Sequence, residues 1–305
     1  MLNRDIYLKD PVKNQLANNG VAEVKDDLSE QALKTLRYEL DTFVCDGEYE
    51  KGLDKILSTF LKKLDSGSEQ PSVWISGFYG SGKSHLAKML RTLWVDYTFD
   101  DGRASRSIAQ LPVGINNHFI EISNQGKRYG GLHAASGTIG SGVENVRLTL
   151  LNIIFKSADL PEQYHLARFI MWLKYEGYYE KVEKYIEDHG KVFYKELSHL
   201  FMSPIISNAL LEVIPGLASN DKEVRQLLKA EYPKVNDVTN DQMIEAITDA
   251  LTTSESKFPL TLIVLDEVQQ YIDKDSSKAY QVQEVTETCS KHFGGKLLFI
   301  ATGQN

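Results

Sequence analysis

Residues 77–84 have types and spacing suited to holding phosphate groups. They read GFYGSGKS, which comprises Gly77, Phe78, Tyr79, Gly80, Ser81, Gly82, Lys83 and Ser84. The stretch matches G-x-x-x-x-G-K-[ST], a pattern in which glycines let consecutive backbone N–H groups face phosphate oxygens. The lysine of this pattern reaches the β- and γ-phosphates, and the final hydroxyl ligates Mg²⁺. We therefore expect all eight residues to bind ATP, with Lys83 also contributing to catalysis and Ser84 to metal binding.

The residue after this motif, His85, is expected in the first turn of the following helix, beside the phosphates. A helix N-terminus favours bound anions because its free N–H groups and its dipole point toward them. We expect His85 to contact the nucleotide and to position it.

A pair of acidic residues, Asp266 and Glu267, follows the apolar run PLTLIVL at residues 259–265. A carboxylate at the carboxyl end of a buried strand can hold the coordination shell of Mg²⁺. A glutamate one position later can act as a general base toward water. We expect Asp266 to bind nucleotide and metal, and Glu267 to be catalytic. Taken alone, the pattern also describes a strand that enters a loop, but the earlier phosphate-binding motif makes it the expected partner.

The motif and the acidic pair together resemble the additional-strand, catalytic-glutamate class of P-loop ATPases, which includes the AAA+ proteins. The resemblance implies a polar residue at the end of the next strand that senses the γ-phosphate. Thr302, Gln304 and Asn305 are the candidates, and Asn305 is assigned to nucleotide binding. The alternative is that they are only polar residues at a strand end.

Four short apolar runs predict the strands that would position these residues. They lie at residues 72–76, 132–139, 259–265 and 296–302, and two further short strands are expected at residues 5–9 and 21–25. Helical spacing of apolar residues predicts helices at residues 48–64, 85–95, 112–128, 143–156 and 280–293. Another helix is expected to start at a capping box formed by residues 27–30. Residues 100–107 are predicted to form a polar loop.

Almost all of residues 161–254 are predicted to be helical, which indicates a large all-helical insertion at about residues 157–255. The predicted fold is α/β, a P-loop NTPase of AAA+ type with three α/β/α layers and a mainly parallel sheet. We divide the chain into an N-terminal segment (1–46) and an ATPase domain (47–305) that is incomplete at its C-terminus. A chain that stops on the last predicted strand is expected to be part of a longer protein.

The composition is that of an ordinary globular protein, with 305 residues, 42% hydrophobic and 25% charged. The net charge of −8 argues against attraction of nucleic acid over the whole surface, but leaves a local basic patch open. Arg103, Arg106 and the pair Lys127-Arg128 are too few for a nucleic-acid footprint and are interpreted as solvated or close to phosphate.

Two distant cysteines, Cys45 and Cys289, argue against a disulfide framework and favour packing roles in a reducing cytosol. We expect neither a signal peptide nor a membrane span. The predicted location is therefore cytoplasmic.

Four stretches resemble the N-terminal ATPase region of the large P-loop protein of BREX phage-defence systems, the BrxC or PglY family. They are FVCDGEYEKGLDKIL, GFYGSGKSHLAKML, RYGGLHAASGTIGSG and LPEQYHLARFIMWLKYEG. The resemblance implies a module that acts with a DNA methyltransferase and an alkaline-phosphatase-like protein against phage. It also implies that Lys83, Ser84, Asp266 and Glu267 are the nucleotide residues, while DNA binding by this region is not evident.

Three functions remain open from the sequence. The first is an ATPase whose site is completed by a neighbouring subunit, in a homo-oligomer, or by further chain. The second is a non-hydrolysing nucleotide switch whose helical insertion docks partner proteins. The third is a DNA-handling module, for which the chain shows neither a winged helix nor a basic domain. A guanine-reading N-K-x-D motif and an arginine-rich kinase lid are also missing from the sequence.

Overall fold

Four parallel strands form the sheet of the described chain. A computed structural model describes residues 29–273 and 275–304. The strands are β1 (Val73–Gly77), β2 (Leu132–Thr138), β3 (Leu260–Asp266) and β4 (Leu297–Gln304). They lie in the order β1-β4-β3-β2, so that β4, the last in sequence, lies between β1 and β3. These four predicted strands are confirmed, with bounds shifted by one or two residues.

Strand β3 lies inside the sheet, between β4 and β2, and its apolar sequence suits this position. All seven of its residues are buried, and most are aliphatic. A parallel strand that is covered on both faces has this continuous apolar character. Strand β1 is paired only with β4 among the described strands, and its residues alternate between half-buried and exposed.

Helices make up most of the rest. Before the predicted insertion they are α1 (Glu30–Asp41), α2 (Gly47–Ser66), α3 (Lys83–Val95), α4 (Ser105–Ile108), α5 (Val113–Gly126) and α6 (Val146–Ser157). Within it they are α7 (Tyr164–Tyr175), α8 (Tyr179–Asp188), α9 (Phe193–Leu197), α10 (Pro204–Val213), α11 (Asp221–Glu231) and α12 (Asn240–Leu251). Helices α13 (Val268–Ile272) and α14 (Ser276–Phe293) join β3 to β4.

The two faces of the sheet pack against different helices. Ile263 and Leu265 of β3 belong to an apolar cluster that includes α6, α14 and the helices from α7 to α12. Leu262 and Val264 of the same strand belong to a second cluster that includes α1, α2, α3 and α5. Because successive strand side chains point to opposite faces, the sheet is covered on both sides. The fold is therefore α/β and compatible with three α/β/α layers.

Six helices, α7 to α12, lie between α6 and β3, within residues 161–254, the stretch predicted to be almost all helical. These helices share one apolar cluster with the adjacent sheet face. The proposed division at residue 46 falls between α1 and α2, whose Leu40 and Leu53 are both fully buried in the same cluster. That boundary stays a prediction.

Helix α1 begins inside the predicted box, since Ser29 caps it by accepting a hydrogen bond from the Ala32 N–H and the helix starts at Glu30. Two other local predictions are wrong. The predicted loop at residues 100–107 contains the start of α4. Helix α14 starts four residues earlier than predicted, because the Asp275 side chain caps it.

Some predicted features lie outside the described chain. These are the strands at residues 5–9 and 21–25, residues 27 and 28 of the capping box, and Asn305. Within residues 29–273 and 275–304, no helix combines the length and apolar character needed to cross a membrane.

Candidate functional site

A cleft of about 390 Å³ opens where β1, β3 and β4 end at their carboxyl ends. It is lined by Tyr79, Gly80, Gly82, Lys83, Ser84, His85, Asp266, Glu267, Gln269, Gln270, Asp273, Thr302 and Gly303. Ligands of open α/β sheets bind outside the carboxyl ends of the strands. The predicted motif and the predicted acidic pair therefore share one cleft, although they lie far apart in sequence.

The loop between β1 and α3 has the backbone shape of an anion cradle. Gly80 has φ 78° and Gly82 has φ 82°, a left-handed region that side-chain-bearing residues rarely adopt. Gly82 is also the residue before the first turn of α3, so the free N–H groups of that turn start at the cleft. Backbone N–H groups in such turns form concave anion-binding sites.

Lys83 spans this loop from the start of α3. Its Nζ atom donates to the carbonyl oxygens of Gly77, at 3.0 Å, and Phe78, at 2.9 Å. The ammonium group is thus held inside the loop, next to the glycine backbone. A cation in this place suits a phosphate chain that enters the cradle.

Ser84 and Asp266 lie in direct contact. The Ser84 hydroxyl donates to Asp266 Oδ1 at 3.1 Å, and Asp266 is only 5% exposed. The same oxygen accepts a hydrogen bond from the Thr302 hydroxyl and one of 3.1 Å from the Glu267 N–H. Within the described chain Asp266 Oδ2 accepts no hydrogen bond, which leaves it available to a cation.

Glu267 has an unusual backbone for a residue with a side chain. Its φ of 60° and ψ of 23° lie in the left-handed region, and the residue directly precedes α13. Hydrogen bonds from its N–H to Asp266 Oδ1 and to Thr302 Oγ1, both 3.1 Å, hold this conformation. Its side chain is exposed and lines the cleft. Strained backbone of this kind is concentrated at functional sites.

His85 lies in the first turn of α3, as predicted, and lines the cleft. Its ring packs 5.9 Å from the ring of Phe43. Burial lowers the pKa of His85, with a smaller opposing influence from Glu39 and a further lowering influence from Lys88. The side chain is therefore neutral near pH 7.

The structure places the predicted loop residues in two groups. Tyr79, Gly80, Gly82, Lys83 and Ser84 line the cleft, whereas Gly77, Phe78 and Ser81 belong to the loop without lining it. The Phe78 side chain is 79% exposed. Of these three residues, Gly77 and Phe78 offer carbonyl oxygens to the Lys83 ammonium.

Four cleft residues were not predicted. Gln269, Gln270 and Asp273 come from α13 and the residue after it, and Gly303 comes from β4. The five-residue helix α13 is too short to show helical periodicity, so the sequence carries no signal that these polar residues face the loop. Thr302, which was one of three sensor candidates, lies against Asp266.

The oxygen atoms in the cleft suit Mg²⁺ that arrives with phosphate groups. In the described residues no group of three or more His, Cys, Asp or Glu could hold a metal ion. Mg²⁺ in nucleotide sites is usually bound through one or two carboxylates, substrate phosphates and water. One buried carboxylate with an adjacent hydroxyl, at Asp266 and Ser84, fits that mode.

No protein-family model matches the chain.

Proposed function

We propose that this chain binds ATP with Mg²⁺ in the cleft and hydrolyses it, as a P-loop NTPase module of AAA+ type. The observation that carries the proposal is the 3.1 Å contact between Ser84 Oγ and Asp266 Oδ1, two residues 182 positions apart in sequence. The phosphate-binding motif predicts the first and the acidic pair predicts the second. Two residues that bind the same metal-bound triphosphate must lie this close to each other.

The strand order supports the same class. Strand β4 lies between β1, which leads into the loop, and β3, which ends at Asp266. A strand inserted between these two is the additional strand for which the class is named. Thr302 at the end of β4 then stands close to the acidic pair, where a residue that senses the γ-phosphate is expected.

Several cleft residues have separate roles in the proposed reaction. The Gly80–Gly82 backbone and Lys83 hold the phosphate chain, while Ser84 and Asp266 hold the ion. Mg²⁺, when bound, withdraws charge from the phosphate oxygens. Glu267 accepts a proton from water that is directed at the γ-phosphate. Thr302 keeps Asp266 oriented through its hydroxyl.

Hydrolysis in this proposal needs a further cation. The described lining of the cleft includes Lys83 and the neutral His85 but no arginine. An arginine supplied from outside a nucleotide site stabilises transition-state charge and is worth ~10³–10⁵ in rate. We therefore propose that a neighbouring subunit or further chain completes the site. The absence of an arginine from the described lining also favours the second candidate function, a switch that binds ATP without hydrolysing it.

The biological setting is proposed on the resemblance of four sequence stretches alone. In that setting the module works in the cytoplasm within a BREX complex, with a DNA methyltransferase and an alkaline-phosphatase-like protein. ATP turnover or binding would change the arrangement of that complex on DNA. The two cysteines are free and buried, which is compatible with a reducing compartment.

Nucleotide binding is tested by replacing Lys83 with alanine. We expect Lys83→Ala to weaken ATP binding by at least about tenfold, because a charge contact with phosphate is lost. Isothermal titration calorimetry of the 305-residue chain measures it, with Lys55→Ala as a control because Lys55 is exposed on α2. Equal ATP affinity in the wild type and Lys83→Ala would contradict the proposed site.

A further inference from the structure

Tyr49, a residue of α2, makes a hydrogen bond to the loop between β1 and α3. The phenol of Tyr49, in the first turn of α2, donates a hydrogen bond of 2.7 Å to the carbonyl oxygen of Ser81. Tyr49 is absent from the residues that line the cleft, whereas Gly82, next to Ser81, is among them. The hydrogen bond therefore reaches the loop at Ser81, which is itself outside the cleft lining.

The direction of this contact fixes the direction of a backbone donor. The described chain contains no cis peptide bond, so the peptide between Ser81 and Gly82 is trans. In a planar trans peptide the C=O and N–H bonds point in opposite directions. Because the Ser81 carbonyl points to Tyr49, the Gly82 N–H points away from Tyr49, and Gly82 itself lines the cleft. Within the described chain no acceptor takes this N–H.

Gly82 is shaped to permit the contact. Its φ is 82°, and a Cβ atom built on it would collide with the Tyr49 hydroxyl. The glycine therefore serves two purposes, a left-handed backbone and room for a phenol beside the peptide. Substitution of Gly82 by alanine would conflict with both.

Helix α2 gives Tyr49 a fixed base. Leu53, Leu57 and Phe60 of the same helix are fully buried in the cluster that also contains α3. Packed side chains of this kind leave an element little freedom to shift. The phenol is thus held in place by an element that contributes no residue to the cleft lining, while the loop it contacts is largely exposed.

We infer that Tyr49 is a positioning residue of the nucleotide site, which orients the Ser81–Gly82 peptide so that the Gly82 N–H donates to a nucleotide phosphate. This inference rests on the proposed function, because it takes phosphate as the ligand of the cleft. The hydrogen bond also polarises the peptide and strengthens the donor at its other end. The ligand class is a nucleoside di- or triphosphate, and the bare nucleoside gains nothing from Tyr49.

The test is Tyr49→Phe, which removes the hydroxyl and keeps the ring. We expect Tyr49→Phe to bind ATP and ADP about threefold to tenfold more weakly, the range of one hydrogen bond. Adenosine binding should stay within about twofold, since it has no phosphate. The matched control is Tyr179→Phe in α8, which removes a hydroxyl that donates to Glu183 at 2.9 Å. Calorimetry of the 305-residue chain gives the affinities, and thermal unfolding reports stability.

The outcomes separate the inference from the proposed function. If wild type and Tyr179→Phe bind ATP and Tyr49→Phe binds it equally well, the role of Tyr49 is contradicted and the ATP site stands. If Tyr49 served only folding, Tyr49→Phe would have a lower melting temperature but an unchanged ratio of ATP affinity to adenosine affinity. That result would also overturn the inference. Failure of the wild-type chain to bind ATP would overturn both proposals.

Discussion

At the scale of single residues, the site depends on a few oxygen atoms around the end of β3. Asp266 Oδ1 accepts hydrogen bonds from Ser84, Thr302 and the Glu267 N–H. Three donors on one buried oxygen fix the orientation of the carboxylate. The same contacts hold Glu267 in a left-handed conformation that costs of order 1–3 kcal/mol. The arrangement thus directs one exposed carboxylate into the cleft.

The proposed role of Glu267 as a general base gives a prediction. Glu267→Gln keeps the shape of the side chain but cannot accept a proton at neutral pH, so turnover should fall by about 10²–10⁴. ATP affinity should stay within about twofold. Steady-state phosphate release and calorimetry measure the two quantities, with Glu187→Gln in α8 as the control. We expect the wild-type turnover of this chain alone to be slow, because the described cleft lacks an arginine.

Turnover by Glu267→Gln at the wild-type rate would contradict the base role. Binding of ATP by the wild type without any turnover would contradict hydrolysis by this chain alone and favour the switch. Fast turnover by a dilute monomer would contradict the need for a group from a neighbouring subunit.

Site residues could be predicted where their chemical pattern lies within a short stretch of sequence. The loop and the acidic pair are short patterns whose backbone context, strand before and helix after, can also be read locally. Arg106 shows the limit, since its interpretation as solvated or close to phosphate is wrong. Its guanidinium is half-buried, donates to the carbonyls of Leu93 and Trp94 at the end of α3, and has a pKa lowered by burial. That contact depends on chain segments brought together only by folding.

At the scale of elements, β2 carries a histidine into the space between the sheet and α6. His133 Nε2 lies 2.9 Å from the Ser157 hydroxyl at the end of α6. Burial, with a further contribution from Arg91 and an opposing one from Asp159, lowers the pKa of His133 to about 4. An unfolded histidine titrates near 6.5. The imidazole is therefore mostly neutral in the folded protein above about pH 4.

This pKa shift predicts acid sensitivity. Between about pH 6.5 and pH 4 the unfolded state binds the proton of His133 and the folded state does not, so stability is present above pH 6.5 and is lost as the pH falls toward 4. The loss from this group is about 1–2 kcal/mol at pH 5. His133→Gln should remove that part of the loss while keeping a partner for Ser157.

Urea unfolding at pH 7 and pH 5 measures the effect, with His189→Gln as the control because His189 is exposed. The predicted result is a smaller loss of unfolding free energy for His133→Gln than for the wild type or the control. An equal loss in all three proteins would contradict the assignment to His133.

Elements with a clear apolar pattern were predictable, and short ones were not. The seven-residue run of β3 and the stripe of α2 match the sequence expectation within two residues at each end. Helices α4 and α13 have four and five residues, fewer than two turns, and so show no periodicity. Tyr49 belongs to the apolar stripe of α2, and only its packing beside the loop makes the hydroxyl visible as a site contact.

At the scale of the whole molecule, the helical insertion is tied to α14, the second of the two helices between the acidic pair and β4. Arg147 of α6 donates to Asn240 at 2.7 Å and lies 3.3 Å from Asp237, in the last part of the insertion. Arg147 also lies 3.5 Å from Glu284 of α14, and Asn240 donates to Glu284 at 2.9 Å. These contacts join the insertion to α14, which connects the cleft end of β3 to β4.

The sequence predicts this insertion as helical but not its packing. Its helices share one apolar cluster with α14 and with one face of the sheet, so the insertion is continuous with the core that supports the cleft. Such long-range contacts have no local pattern, because they join residues such as Arg147 and Glu284 that lie 137 positions apart.

The central claim, that Ser84 and Asp266 share one ion bound to a nucleotide, is tested most directly by the Mg²⁺ dependence of ATP binding. Calorimetry with Mg²⁺ and with EDTA compares wild type, Ser84→Ala, Asp266→Asn and the double variant. We predict that Mg²⁺ strengthens wild-type binding by about tenfold or more, that each single variant loses most of this gain, and that the double variant loses little more. Full retention of the Mg²⁺ gain in both single variants would contradict the account.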